Sequence, residues 1–516
     1  MIPIMPDGEV KILDAVPFDR EHVHTCLFAS KAAQTSYMLS KVTSTLSGVS
    51  YQRVTKNTIR VQLKIQAVYN SNYIMFKNSA YEDKWFYAFI INAEYVNNIT
   101  TEITYEIDNI QTWMFDYTLG ECFVEREHSV TDVAGDNIVP EQVNLGDYVL
   151  DNITKLPYLY DSDGKKAVGY SIWSTMANPS EPAPIKDRWG LRMACEPYAT
   201  TENLFQALQD AGKADAVIAY TPIPTHFAKM NQDDPTYCPR AGFTVPKSDY
   251  CFQPFEGYTP RNRKLYTYPY NFLQMSGFNG VDAEYAFEYF RGANNNSLDN
   301  CPFMMICEIS PNTKIAIAPG EYKGANLDTG SPYNYEEMIQ IYTYPQMPFS
   351  VDPYKNQLGA NLITGTMGML KSGISGGLAG GIAGAAMGVG MGALDLATTL
   401  AVSSRQPVVQ KGQWDDTFLF ANNLVGGWYA RKHIKRQFAQ IIDNYFTMFG
   451  YATKRVKVPN VNSRPHWNYV KTLYCFINGN IPEGAESDIR DCFNKGITFW
   501  KNPGEIGNYS LDNSPT

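Results

Sequence analysis

Residues 59–65 read IRVQLKI and residues 103–107 read ITYEI, so Ile59, Val61, Leu63 and Ile65 alternate with Arg60, Gln62 and Lys64, and Ile103, Tyr105 and Ile107 with Thr104 and Glu106. A period of two sends successive side chains to opposite faces, which predicts strands with one wet face. Between them, residues 85–91, WFYAFII, are continuously apolar and read as a strand covered on both faces. Residues 1–150 are therefore expected to form an N-terminal β domain.

Residues 151–264 are richer in proline and short turns. They hold one helical candidate, ENLFQALQ at 202–209, with Thr200 and Thr201 as possible caps, and are read as an inserted or lateral domain. A second β region, 265–357, has strand-like stretches at 283–290 and 303–309. The proline-rich passage YTYPQMPFSVDPY, 342–354, reads as a linker. Residues 428–449, WYARKHIKRQFAQIIDNYFTMF, place Ile434, Phe438, Ile441, Tyr445 and Phe449 at helical spacing, with Gly450 as terminator. Arg431, Lys432, Lys435 and Arg436 then fall on the other face, either simply solvated or in contact with an acidic partner or membrane surface.

A chain of 516 residues that is 44% hydrophobic and 18% charged can bury the cores of two to four domains. Its 35 tyrosines and 26 phenylalanines suit half-buried sheets and protein interfaces. A formal net charge of −9 argues against gripping nucleic acid, whereas a surface past which DNA slides without sticking would want that sign. The nine cysteines are scattered without a C-x-x-C pair, as expected of free thiols made in a reducing cytoplasm. The first residues, MIPIMPDGEVKILDAVPFDRE, have neither a basic leader nor an apolar stretch, so no signal peptide is expected.

Residues 372–394, SGISGGLAGGIAGAAMGVGMGAL, carry no charge and lie between Lys371 and Asp395. At about 1.5 Å per residue a helix of this length would just span a hydrocarbon core of about 30 Å. Its nine glycines each cost about 1 kcal/mol against alanine, so such a helix needs neighbours or lipid. Gly376 and Gly380, Gly380 and Gly384, and Gly384 and Gly388 have the four-residue spacing that lets helix backbones approach closely in membranes. A close-packed helical hairpin and a glycine-rich loop remain open readings of the same residues.

Catalytic patterns are sparse. His22 and His24 form H-x-H, but nothing nearby completes a ligand set, so surface histidines are expected and no metal or cofactor is called for. Arg126, Glu127 and His128 follow the strand-like residues 122–124, where a general acid or base could sit, without a partner pattern. Neither H-E-x-x-H nor a phosphate-binding G-x-x-x-x-G-K-[ST] occurs, and the chain is read as no enzyme.

Residues 70–90, NSNYIMFKNSAYEDKWFYAFI, 105–117, YEIDNIQTWMFDY, and 123–128, FVEREH, resemble the N-terminal region of the tail knob, or distal tail tube, proteins of φ29-like short-tailed bacteriophages. The likeness resumes at 449–460, FGYATKRVKVPN, at 468–481, NYVKTLYCFINGNI, and at NKGITFW and IGNYS near the end. The resemblance implies a homohexameric tube at the distal tail of the virion, joined to other tail proteins, assembled in the host bacterial cytoplasm, and passing DNA through its lumen without specific binding. It also implies a hydrophobic loop that plugs the tube and, on release, forms a pore in the host cytoplasmic membrane. The corresponding segment is 358–405. Its membrane-active residues would be Leu362, Ile363, Met367, Met369, Leu370, Ile374, Gly376, Gly377, Leu378, Gly380, Gly381, Ile382, Gly384, Met387, Gly388, Val389, Met391, Gly392 and Leu394.

The expected fold is thus β-rich α+β, a multidomain tube former with tandem β domains, a glycine-rich hydrophobic loop and a C-terminal α/β region at 406–516. The rival functional reading is a tail receptor-binding module that recognises a cell-wall polymer and uses the glycine-rich segment only structurally.

Overall fold

The alternating runs near the N-terminus become a six-stranded antiparallel sheet in the order Val42–Val49, Gly8–Asp14, Ser71–Lys77, Phe86–Asn97, Thr100–Ile107, Thr58–Val61. The computed structural model describes residues 8–49, 57–78, 84–159, 168–175, 186–188, 191–197, 217–228, 240–277, 280–292, 296–307, 314–324, 332–342, 349–351, 409–411 and 426–515. Period-two patterning sorts this sheet's side chains cleanly. Val10, Ile12, Ile59, Val61, Ile74, Ala88, Ile103 and Tyr105 fill one core, whereas Leu13, Tyr73, Met75, Tyr87 and Phe89 fill another with Phe18, Phe28 and Met38. Tyr87, Ala88 and Phe89 are therefore buried in succession, the two-sided cover expected of WFYAFII, until Ile91 emerges exposed. The 59–65 stretch keeps its strand only to Val61. Its end, Ile65–Ala67, is a 3-10 turn.

The described chain forms two units, Met1–Leu145 with Gly257–Leu265 and Arg436–Thr516, and Gly146–Glu256 with Tyr266–Lys435. In the first unit a five-stranded sheet runs Thr25–Cys26, Ile497–Trp500, Trp467–Leu473, Cys122–Glu127, Tyr451–Lys457. A strand from residues 122–127 thus lies between two strands more than three hundred residues later in the chain. Cys122, Val124, Val470, Ile497 and Phe499 pack with Ile489 and Phe493 of the helix Glu483–Lys495.

The predicted helix at 428–449 is two elements. Gly427–Ile434 is a strand, paired on one edge with Tyr148–Lys155 and on the other with Asn271–Gly277, and only Arg436–Phe449 is helical. Ladder bonds on both edges override the helical preference of Ala430, Arg431 and Lys432. Gly450 does end the helix, at φ +63°, where a Cβ would collide with the backbone of Glu127 and His128.

The second unit holds three four-stranded antiparallel sheets. One runs Tyr148–Lys155, Gly427–Ile434, Asn271–Gly277, Asp282–Tyr285, the next Lys186–Arg188, Leu191–Pro197, Val168–Thr175, Val217–Pro224, and the last Arg240–Pro246, Asn300–Cys307, Lys314–Pro319, Ile339–Tyr342. The expected strand at 283–290 stops at Tyr285 and gives way to the 3-10 turn Phe287–Tyr289. The one at 303–309 falls, as far as Cys307, in Asn300–Cys307, where Cys301, Phe303, Met305 and Cys307 alternate inward, and residues 308 and 309 lie outside the described residues. The helical candidate at 202–209 lies outside the described residues.

Candidate functional site

The apolar segment is flanked in the chain by a defined ladder. After the edge strand Ile339–Tyr342, the chain forms Phe349–Val351, which pairs antiparallel with Val409–Lys411 in the register Phe349↔Lys411, Ser350↔Gln410, Val351↔Val409. Cα atoms across an antiparallel pair lie about 4.5–5.5 Å apart, so the chain departs and returns at one point. Residues 352–408, including every candidate membrane-active position from 362 to 394, lie outside the described residues. Among the described residues no helix is long and apolar enough to cross a membrane.

Beyond residues 412–425, which lie outside the described residues, the strand Gly427–Ile434 is held firmly. Gly427 opens the strand Gly427–Ile434 where a Cβ would press on Leu156 Cδ1 and the Ser276 carbonyl oxygen, so the backbone approaches its neighbours as only glycine can. Arg431, expected on a solvated basic face, is instead 0% exposed. Its Nε donates to Asn271 Oδ1 at 2.7 Å, and its two terminal nitrogens donate to the Pro254 and Gln253 carbonyls, both at 2.8 Å. Desolvation pulls its pKa down to about 10, with Asp151 opposing the shift from 3.7 Å. Burial also lowers the pKa of His433. Lys432 and Lys435 have carboxylate partners, Glu284 at 3.0 Å and Asp147 at 2.9 Å.

In the first unit, buried carboxylates tie distant segments together. Asp443, on the helix Arg436–Phe449, accepts the Tyr258 hydroxyl at 2.5 Å and the backbone amides of Arg261 and Asn262 at 2.8 and 2.9 Å. Glu141 is paired with Arg126 and Lys264 and accepts the Ala452 amide at 2.8 Å. Burial lowers the pKa of Lys264, and Glu141 counters it. Glu127 is paired with Lys457 and accepts the Asn460 amide at 2.9 Å. The triplet Arg126, Glu127, His128 therefore spends its polar atoms on holding the fold. A neighbouring cavity of about 20 Å³, lined by His128, Asp132, Arg464 and the chain near Asn513, has room for little more than a water molecule.

His128 is spent in the same way. The Tyr469 amide donates to its Nδ1 at 2.8 Å and its Nε2 faces the Thr447 carbonyl at 3.1 Å, an arrangement that suits the neutral ring. Desolvation first, then the charge of Arg464, pushes its pKa down to about 3. A basic group depressed on folding takes up its proton in the unfolded chain first, so stability falls with pH below the unfolded value. The expected loss is roughly 1.4 kcal/mol for each pH unit between about 6.5 and 3. Melting temperature measured from pH 7 to 4 should fall less steeply in His128→Asn, and an equal slope in both proteins would refute the assignment.

His22 is buried rather than at the surface, with φ +54° and no hydrogen-bond partner for Nδ1 among the described residues, whereas His24 Nδ1 meets Asp19 Oδ2 at 2.7 Å. Among the described residues no cluster of three or more histidine, cysteine or acidic side chains could hold a metal ion.

Residues 238–514, which carry the base of the apolar segment and the strand that follows it, match the family model described as the C-terminal domain of the Bacillus phage phi29 tail knob protein gp9. The chain belongs to this tail knob family. Residues 6–118 also match the caudoviral major tail protein N-terminus. The tail knob proteins gp9 of Bacillus phages PZA and phi29 are each 26% identical to it, over 98% of this chain and 98% of theirs. The structure of the bacteriophage C1 tail knob protein gp12 superposes with a TM-score of 0.62 over 98% of this chain and 99% of that one, at 13% identity, a likeness of fold. The protein is thus a structural component of a short-tailed phage tail, associated with other tail proteins in the virion, and not an enzyme.

Proposed function

We propose that this tail knob protein assembles as a homo-oligomeric tube, hexameric by the family resemblance, that conducts DNA into the host. Residues 358–405 plug the tube before infection and enter the host cytoplasmic membrane on release. The observation that carries the reading is the ladder between Phe349–Val351 and Val409–Lys411. A single glycine-rich excursion, uncharged over residues 372–394, whose flanking residues meet at one ladder can be displaced without unravelling either flank. Six copies delivered together would supply the close neighbours that a glycine-rich helix needs in lipid. The net charge of −9 suits a lumen that must release the DNA it passes. Assembly in the host cytoplasm is in keeping with the buried thiols of Cys26, Cys122, Cys251, Cys301 and Cys475.

Gly380→Asp tests the membrane step. A carboxylate mid-segment costs roughly 2.5–3.5 kcal/mol per inserted helix, and the penalty multiplies when several copies insert together. Dye release from liposomes should fall steeply while the melting temperature stays unchanged. A large drop in melting temperature with undiminished release would instead indicate a buried structural hairpin.

A further inference from the structure

Two exposed apolar surfaces of the first unit carry opposite charge. The hairpin of Phe86–Asn97 and Thr100–Ile107 outruns its sheet: pairing with Ser71–Lys77 ends at Tyr73↔Phe89, and from Ile90 outward that edge has no strand beside it among the described residues. Ile91, Tyr95, Val96 and Ile99 are exposed there, Tyr95 at 60% and Ile99 at 57%. Residues 85–107 contain no lysine or arginine. Glu102 and Glu106 are taken up by Arg60 and Arg20, whereas Glu94 is exposed and has no cationic partner among the described residues.

The second surface lies on the five-stranded sheet. Cys122 and Val124 face its core, so Phe123 faces outward, and the register sets Val456 beside it on one neighbouring strand and Leu473 on the other. All three are exposed, Val456 at 68%, and Tyr474 at 78% and Phe476 at 57% extend the patch. Its outer strand, Tyr451–Lys457, has no strand on its far side among the described residues. Lys454 and Arg455 on that strand are exposed and have no carboxylate partner among the described residues.

We propose that the hairpin around Glu94 and Tyr95 of one copy docks on the Phe123–Val456–Leu473 patch of a second copy, with Glu94 meeting Lys454 or Arg455. This rests on the homo-oligomeric reading above and names its interface. Each surface is an open strand edge with exposed apolar side chains, of the kind that pairs with another chain unless covered. The hairpin offers acidic groups and no cation, whereas the Tyr451–Lys457 edge offers Lys454 and Arg455, so hairpin on edge is favoured over hairpin on hairpin. The contact is therefore head-to-tail, the kind that repeats from copy to copy and forms a ring where the rotation between copies closes.

Native mass spectrometry and light scattering of the full chain test this, with circular dichroism as the folding control. Glu94→Arg and Arg455→Glu should each raise the concentration needed for assembly on the order of tenfold or more, and the double charge swap should restore it. The stronger pair, Tyr95→Asp on the hairpin and Val456→Asp on the patch, should each give monomers. Mixed together they should form one-to-one dimers and nothing larger, because only one intact contact remains between them. A folded Tyr95→Asp or Val456→Asp protein that assembles like the wild type would overturn the docking alone. A wild-type chain monomeric at every concentration tested would overturn both the docking and the oligomeric reading, and monomeric variants that stay monomeric on mixing would refute the head-to-tail contact.

Discussion

Removing residues 358–405 is expected to leave a folded, assembling protein with nearly unchanged melting temperature and to reduce liposome leakage to background. The deletion keeps residues 352–357 and 406–408 between two positions, Val351 and Val409, that face each other across an antiparallel ladder. A connection of that length needs no extended span to close. Loop-closure cost rises only slowly with length, each doubling adding about 0.6 kcal/mol, so shortening the excursion should slightly favour the ladder. Among the described residues, the strands on either side, Ile339–Tyr342 in one sheet and Gly427–Ile434 in another, pair only with strands outside the deletion. Leakage and melting measured on the same preparation separate the outcomes. Loss of folding would show that the segment belongs to a core, and leakage equal to the wild type would place membrane activity elsewhere.

Local periodicity revealed the strands whose burial is decided by their own sequence. Ile103 and Tyr105 alternate inward as IRVQLKI and ITYEI suggested, and the continuous run at 85–91 reflects the two cores on either side of Phe86–Asn97. Periodicity failed where polar groups are buried by partners distant in sequence. On the helix Arg436–Phe449 the apolar spacing pointed to Ile441, yet Ile441 is 64% exposed and the buried face is Ala439, Ile442, Asp443, Phe446 and Thr447. Asp443 and Thr447 are inside because residues 258–262 hydrogen-bond to them, a fact no hydropathy pattern encodes. The composition of the apolar segment was legible for the same reason that its base was not. Nine glycines without a charge stand out in any window, whereas FSV and VQK are too short to show a period, and their pairing joins residues 58 positions apart at the closest pair.

Arg431→Leu is expected to destabilise the second unit by about 3–5 kcal/mol, the cost typical of breaking a buried charged network by removing one partner. The substitution leaves the carbonyls of Gln253 and Pro254 and the Asn271 side-chain oxygen without the donor that now serves all three. Each buried acceptor so orphaned costs about 1–3 kcal/mol, and leucine can refill only part of the space. Arg431→Lys should recover little. A single ammonium keeps the charge but cannot span three acceptors that a planar fork reaches together. At about 2–4 °C per kcal/mol for a unit of this size, the second unit's transition should move down by roughly 10 °C, with faster hydrogen exchange in Asn271–Gly277. A shift within a degree or two would mean that water replaces the guanidinium at no cost. Because Arg431 lies on the strand Gly427–Ile434, outside residues 352–408, the variant also separates the stability of the fold from insertion. Below its melting temperature the excursion itself is unaltered, so liposome leakage should match the wild type, whereas Gly380→Asp should lose leakage without losing stability.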